Sequence, residues 1–367
     1  MDDYTWQKKI RERNFRYRRS LLSLILLIFF ALGLGTGMWY FLIYIRTPEY
    51  ALQQLQSAIE KKDSTAFSRY VNLDLLTTKA YDDLNLDLFS YDSSLNPQTK
   101  ALFEKFYVLV KPQLAQGMSD TITARVKTGE WTLPEGTDIL KGRQLGIDYE
   151  RFLERSQLRN TSLIKTGEIK TSGHSAEAQL LVRDDYTQTE FTLLLVMEQN
   201  DDGHWQIAYI KNYREYLETI APLHNKDIAS YIDSTKSIID TYNLQFAQHQ
   251  TRFKNLTKTA SGRLSASQIK GLNTLLQAQV IPALQQRQQK LDTIDAPAGA
   301  AYLCSLRKKS TQLTISSWQH FLKGISEDNE EELSTAESLH KQELEVDLRI
   351  DDIIKHTAVS KNIPNIP

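Results

Sequence analysis

Glu337-x-x-His340 spaces a carboxylate and an imidazole three residues apart, so both can leave one face of a helix. The spacing matches half of a carboxylate-bridged di-iron pattern, with Glu343 and Asp347 one and two turns further on. His249 falls on another helix at a seam position. A di-metal site needs two Glu-x-x-His pairs, and the chain has no second copy. A competing reading needs no metal: His340 and Asp347 flank the seam in solvent, and His249 is a core histidine with its hydrogen bonds satisfied. Asp138, Asp148, Glu150 and Tyr186 could serve acid–base chemistry, but no spacing nominates any of them over a solvated loop or helix-end role. Cys304 lies beside Leu303 and Leu306, where a buried, inert thiol is a simpler account than a nucleophile. Being the single cysteine, it excludes an intramolecular disulfide and any paired-cysteine metal motif. No phosphate-cradling glycine loop, dinucleotide fingerprint, nucleophile elbow or zinc-protease helix is present, and no cofactor is expected.

The elements that would position these residues begin with a membrane segment. From Ser20 to Ile45 no side chain is charged. A helix of that length would span about 39 Å, more than the roughly 30 Å of a bilayer's hydrocarbon core. Trp39, Tyr40, Phe41 and Tyr44 cluster toward its far end, where amphipathic rings prefer the interface. Lys8, Lys9, Arg11, Arg13, Arg16, Arg18 and Arg19 precede the segment and only Arg46 closely follows it, which places residues 1–19 in the cytoplasm and the remainder outside a plasma membrane. The basic tail can also bind anionic lipid. A cleaved signal peptide ending near Ala31 is the rival, although the apolar run exceeds an ordinary secretory core. Arg18-Arg19 also echoes a twin-arginine export signal, against the simpler reading of a basic flank. Gly33 and Gly37 form a GxxxG that would let two spans approach as a homodimer, or reflect the ordinary frequency of glycine in such helices. Residues 1–46 hold eight of the 44 basic side chains and three of the 45 acidic ones, leaving the remainder mildly acidic and without electrostatic reason to hold nucleic acid.

Residues 47–222 read as an α+β domain. Thr47-Pro48-Glu49 caps a helix with Leu52, Leu55, Ala58 and Ile59 in its stripe. Asp63 caps a short helix, and after a polar stretch Asn96-Pro97 opens a third, which Pro112 should bend or stop. Residues 128–148 read as a long loop. Ala176, Ala178, Leu180 and Val182 alternate as a strand buried on one face, Phe191–Met197 is an apolar strand, and Asp202-Gly203 signals a hairpin before Trp205, Ile207 and Tyr209. With Leu163–Ile169 these make an antiparallel meander.

Residues 223–358 read as an up-down four-helix bundle. Ile228, Ile232, Thr235, Ile239, Tyr242, Phe246, His249, Phe253 and Leu256 form a heptad seam. Ser265 and Gln268 make a capping box for the next helix, which Pro282 should kink. Asp295-Ala296-Pro297 precedes a third helix, and the acidic run Glu327–Glu332 starts a fourth. Residues 359–367 read as a disordered tail.

The run Pro48-Glu49-Tyr50-Ala51-Leu52, then Ala58-Ile59 with Asp63, then Phe67–Asp74 resembles the opening of an uncharacterised bacterial family of envelope-anchored proteins. The resemblance spans about residues 47–215 and implies a cystatin-like, nuclear-transport-factor-like cone of helices on a curved sheet. It carries no catalytic residues over. Ile294–Ala336 is similar to helical segments of bacterial surface lipoproteins. Together these readings imply a non-catalytic binding or scaffolding protein of the cell envelope with another envelope component as partner. The alternatives are a ligand sensor or carrier with a pocket in the cone, and an enzyme built there.

Overall fold

The computed structural model describes residues 24–36, 38–40, 43–90, 97–132, 149–258 and 264–361. Ser20, Gly37, the basic tail 1–19 and residues 133–148 of the expected loop lie outside them. The chain is an N-terminal apolar helix, an α+β region and a helical bundle, the class that composition and periodicity predict.

The apolar helix α1 (Leu24–Arg46) has none of its most hydrophobic stretch buried against protein. Ile45 lies in its closing 3₁₀ turn, Tyr44–Arg46, and Gly33 faces open space. Helix α2 (Pro48–Glu60) starts immediately, with Thr47 accepting from the Tyr50 amide as its cap. Helix α3 (Ser64–Tyr70) is capped by Asp63. A longer helix, α4 (Leu73–Ser90), then occupies ground that the sequence predicts as a polar stretch. Its inward stripe is Leu73, Leu76, Thr77, Ala80, Tyr81 and Leu84, a 3.6-residue period interrupted by a threonine whose hydroxyl donates to the Leu73 carbonyl. Asn72 caps it, accepting from the Leu75 amide.

Helix α5 (Pro97–Thr128) continues past Pro112, so the proline does not stop it. The proline deprives the Val108 carbonyl of its donor, but Val108 and Pro112 are both exposed, so water can satisfy that oxygen. After the short helix α6 (Tyr149–Arg155) come strands β1 (Thr161–Ser172), β2 (Ser175–Asp184), β3 (Glu190–Gln199) and β4 (Trp205–Ile210), in sheet order β1-β2-β3-β4, all antiparallel. Gly173 and Gly203 make the two outer hairpin turns at positive φ, +61° and +77°. Bulges in β1 and between β3 and β4 bend the sheet. Its inward residues meet the helices in two apolar clusters, one around Tyr81, Leu114, Met118 and Ile220, the other around Phe67, Ala178, Met197 and Trp205. Where the helices meet the sheet, Leu84, Met197 and Ile220 are each 0% exposed. Burying each such large apolar chain contributes about 1.5–3 kcal/mol.

Helix α7 (Tyr213–Leu256) begins in the sheet's core and ends in the bundle. It passes through residues 222 and 223 unbroken, so the expected division between the two regions falls inside one helix. Its seam is as the heptad predicts: Ile228, Thr235, Tyr242 and His249 are buried, and Ile232, Ile239, Phe246, Phe253 and Leu256 half-buried. Helix α8 (Ala266–Leu275) opens with the Ser265–Gln268 capping box and passes through a π-helical turn, Leu276–Val280, into α9 (Ile281–Asp292). The wide turn directly precedes Pro282 and takes up the distortion that the proline imposes. Helices α10 (Ala301–Glu327) and α11 (Glu330–Lys361) complete the bundle, packed so closely that a Cβ on Gly324 would lie 2.7 Å from Leu333 Cδ2. Helix α11 extends into the segment expected as tail, whose residues 362–367 are outside the described set.

Candidate functional site

The residues singled out for a metal do not converge. His340 is exposed and bonds Glu343 through Nδ1 at 2.8 Å, and Glu337 turns away to pair with Lys341 at 2.7 Å. His249 is 8% exposed, and among the described residues neither ring nitrogen has a hydrogen-bond partner, contrary to the satisfied core histidine expected. Burial, with Arg252 nearby, lowers its pKa below the ordinary imidazole value. Among the described residues no three His, Cys, Asp or Glu side chains group as metal ligands. Asp138 and Asp148 lie outside the described residues. Cys304 is half-buried on α10 and forms no disulfide.

A layer of buried polar groups crosses the bundle between two apolar clusters, one around Tyr231, Leu303 and Ile353, the other around Leu276, Leu284 and Leu322. Arg307 Nη1 donates to Thr235 Oγ1 at 2.7 Å, with its guanidinium 5.1 Å from the Tyr231 ring centroid. Arg287 Nη2 donates to Thr311 Oγ1 at 3.0 Å and lies 5.3 Å from the Phe246 centroid, its Nε unpartnered. Ser310 donates to Asp347 and Thr314 to Glu343, both at 2.7 Å. Asp347 is therefore half-buried rather than solvated, and burial raises its pKa while the Arg287 charge acts in the opposite direction. Among the described residues neither arginine reaches a carboxylate at ion-pair distance; hydroxyls and aromatic faces take that place.

The densest polar cluster is one the sequence motifs do not nominate. Asp184 ends β2 and is 0% exposed. Its Oδ2 accepts from Thr187 N and Thr187 Oγ1, each at 2.7 Å, and from His224 Nε2 at 3.0 Å. Burial works to raise this carboxyl's pKa, but the hydrogen bonds from His224 and Thr187 outweigh it and hold it below the usual range. The Tyr186 ring lies 5.5 Å from that of His224, and burial followed by the charges of Glu154 and Asp184 raises its pKa. One turn along α7, Asp227 accepts from the Gly299 amide at 3.1 Å. Glu150 on α6 pairs with Arg349 on α11 at 2.8 Å, the arginine side chain only 6% exposed. These contacts clamp the α+β region to the bundle.

An Asp–His pair is the orienting half of a nucleophilic triad. Here the bonded hydroxyl, Thr187 Oγ1, donates to the carboxylate, and both members are buried, with His224 at 4% exposure. The arrangement suits a rigid joint better than turnover. Asp184 had one signal in the sequence: it continues the inward alternation of Ala176, Ala178, Leu180 and Val182 by one more step, placing a carboxylate where an apolar residue belongs. His224 had none, since its partner lies 40 positions away.

Residues 38–130 match a family described as "Protein of unknown function (DUF2939)". The match runs from the end of the apolar helix to the end of α5 and stops short of the sheet. It agrees with an uncharacterised family and says nothing of activity. Neither a curated protein nor a solved structure matches the chain.

Proposed function

We propose that this chain is a single-pass, membrane-anchored scaffolding or binding module of a bacterial cell envelope, its N-terminus cytoplasmic and its α+β region and bundle outside. The observation that carries the proposal is α1: a long apolar helix whose most hydrophobic stretch has no described protein packed on it, as suits a span in an apolar solvent. The close packing of Leu84, Met197 and Ile220 between helices and sheet supports a scaffolding or binding role over a carrier with its ligand at that place. The buried Asp184–His224 pair, with Thr187 donating to the carboxylate, supports a structural joint over an active site. Outside α1 the fold leaves Leu102, Val108 and Leu109 of α5 exposed, along with Leu344 and Leu348 of α11, apolar surface of the kind an envelope partner would cover.

Fractionation of cells carrying the full chain tests the proposal. Full-length protein should stay in the membrane through alkaline carbonate washing, and external protease should remove the C-terminal part while sparing residues 1–19. A soluble, shortened chain would instead mark α1 as a cleaved signal.

A further inference from the structure

We infer that the turn end of the sheet rests on the outer lipid headgroup layer, an inference that depends on α1 being a membrane span. The span does not hand over to the folded region through a linker. Thr47 alone separates the Tyr44–Arg46 turn from α2, and its hydroxyl donates to the Tyr44 carbonyl while accepting from the Tyr50 amide. Tyr44 donates to Gln53 at 2.7 Å, and its ring packs against Trp39 and Tyr50 with centroids 5.7 and 5.4 Å apart. A contact between residues 159 positions apart then ties the end of α1 to the sheet: Trp205 Nε1 donates to the Arg46 carbonyl at 2.9 Å, and Trp205 is 3% exposed.

Trp205 is the first residue of β4, directly after the turn that holds Asp201, Asp202 and His204. Gln199 pairs with Trp205 in register and donates its amide to the His174 carbonyl, so the β1–β2 turn lies at the same end of the sheet. Both tips therefore belong to the end of the sheet at which Trp205 holds the Arg46 carbonyl. Trp39, Tyr40 and Tyr44 mark the interfacial depth, because amphipathic rings settle at headgroup level. Ser172, Gly173, His174, Asp201, Asp202 and His204, all exposed, therefore face headgroups. Charge does not bring them there, since Asp201 and Asp202 are repelled by anionic lipid; the mount at Arg46 and Trp205 does. The opposite ends of the strands, with the Asp184 joint and the bundle, stand off from the bilayer.

Site-directed spin labelling of the full chain tests this. The background is Cys304→Ser, reconstituted in phosphatidylethanolamine–phosphatidylglycerol vesicles containing a nickel-chelating headgroup lipid. A nitroxide at Asp202→Cys should show several-fold greater nickel-induced relaxation than one at Gln245→Cys on the outer face of α7, and Trp205→Phe should shrink that difference. Equal relaxation at the two sites, with a Phe29→Cys label reporting the lipid phase, overturns the headgroup contact while leaving the anchor intact. A Phe29→Cys label reporting water overturns the anchor and this inference with it.

Discussion

The α+β region and the bundle bury polar groups in different places. In the α+β region the interior between helices and sheet is mainly apolar, with hydroxyls such as those of Thr77 and Thr121 bonded to their own helices, and the carboxylate of Asp184 lies at the far end of the strands, where it meets α7. In the bundle a polar layer containing two arginines crosses the middle of the core, separating two apolar clusters. A sheet with bulged strands has its register set by turns and inward alternation, so an apolar filling suffices. Four amphipathic helices with similar seams can slide past one another, and a layer of paired polar groups penalises every register but one.

The contrast can be broken or sharpened experimentally. Met197→Ala should cost the most, about 2–5 kcal/mol, because the residue is wholly buried in a filled core. Chemical denaturation measures this, and a loss under 1 kcal/mol, well below the range for such cavities, would mean that the core is not packed as described. Gly299→Ala comes next at about 1–3 kcal/mol, since its Cβ would lie 2.9 Å from Asp227 Oδ2 and 3.2 Å from the His224 backbone. If it is silent, the joint is loose.

Two effects depend on pH. Asp184 has a folded pKa below its unfolded value, so its contribution is complete above the unfolded carboxylate pKa of about 3.9 and disappears as pH falls through the folded value. Asp184→Asn should therefore narrow the stability gap between neutral and acid conditions in thermal melts. His249 is depressed by burial, so the native state resists a proton that the unfolded chain takes up; stability is full above about pH 6.5 and falls as pH drops toward the folded pKa. His249→Leu should raise the melting temperature at mildly acidic pH more than at pH 8, and equal gains would show that the imidazole is not held neutral. The smallest effect is expected from Arg307→Met, within about 1 kcal/mol of the parent and of either sign, because the buried guanidinium carries its own desolvation cost. A large loss would show that the polar layer stabilises the bundle outright.

Much of this was legible in one dimension. The heptad seam of α7 reads directly off the sequence, as do the Ser265–Gln268 capping box and the strand alternation from Ala176 to Val182, because each reflects a local period or a contact within four residues. Helix α4 was missed because Thr77 and several aspartates dilute its apolar stripe, although Thr77 is buried with its hydroxyl on the preceding turn. Pro112 does not stop α5, because the carbonyl that the proline orphans can reach water.

Order along the chain determined the apolar helix, the succession of helices, meander and bundle, and the faces that turn inward; these follow from periodicity and capping, which neighbours in sequence control. Only the tertiary structure decided that His224 meets Asp184, that Arg349 meets Glu150 and that Trp205 holds the end of the apolar helix. Those partners lie 40, 199 and 159 residues apart, and pairing at such separations is set by how the elements pack, for which the local sequence holds no period to read.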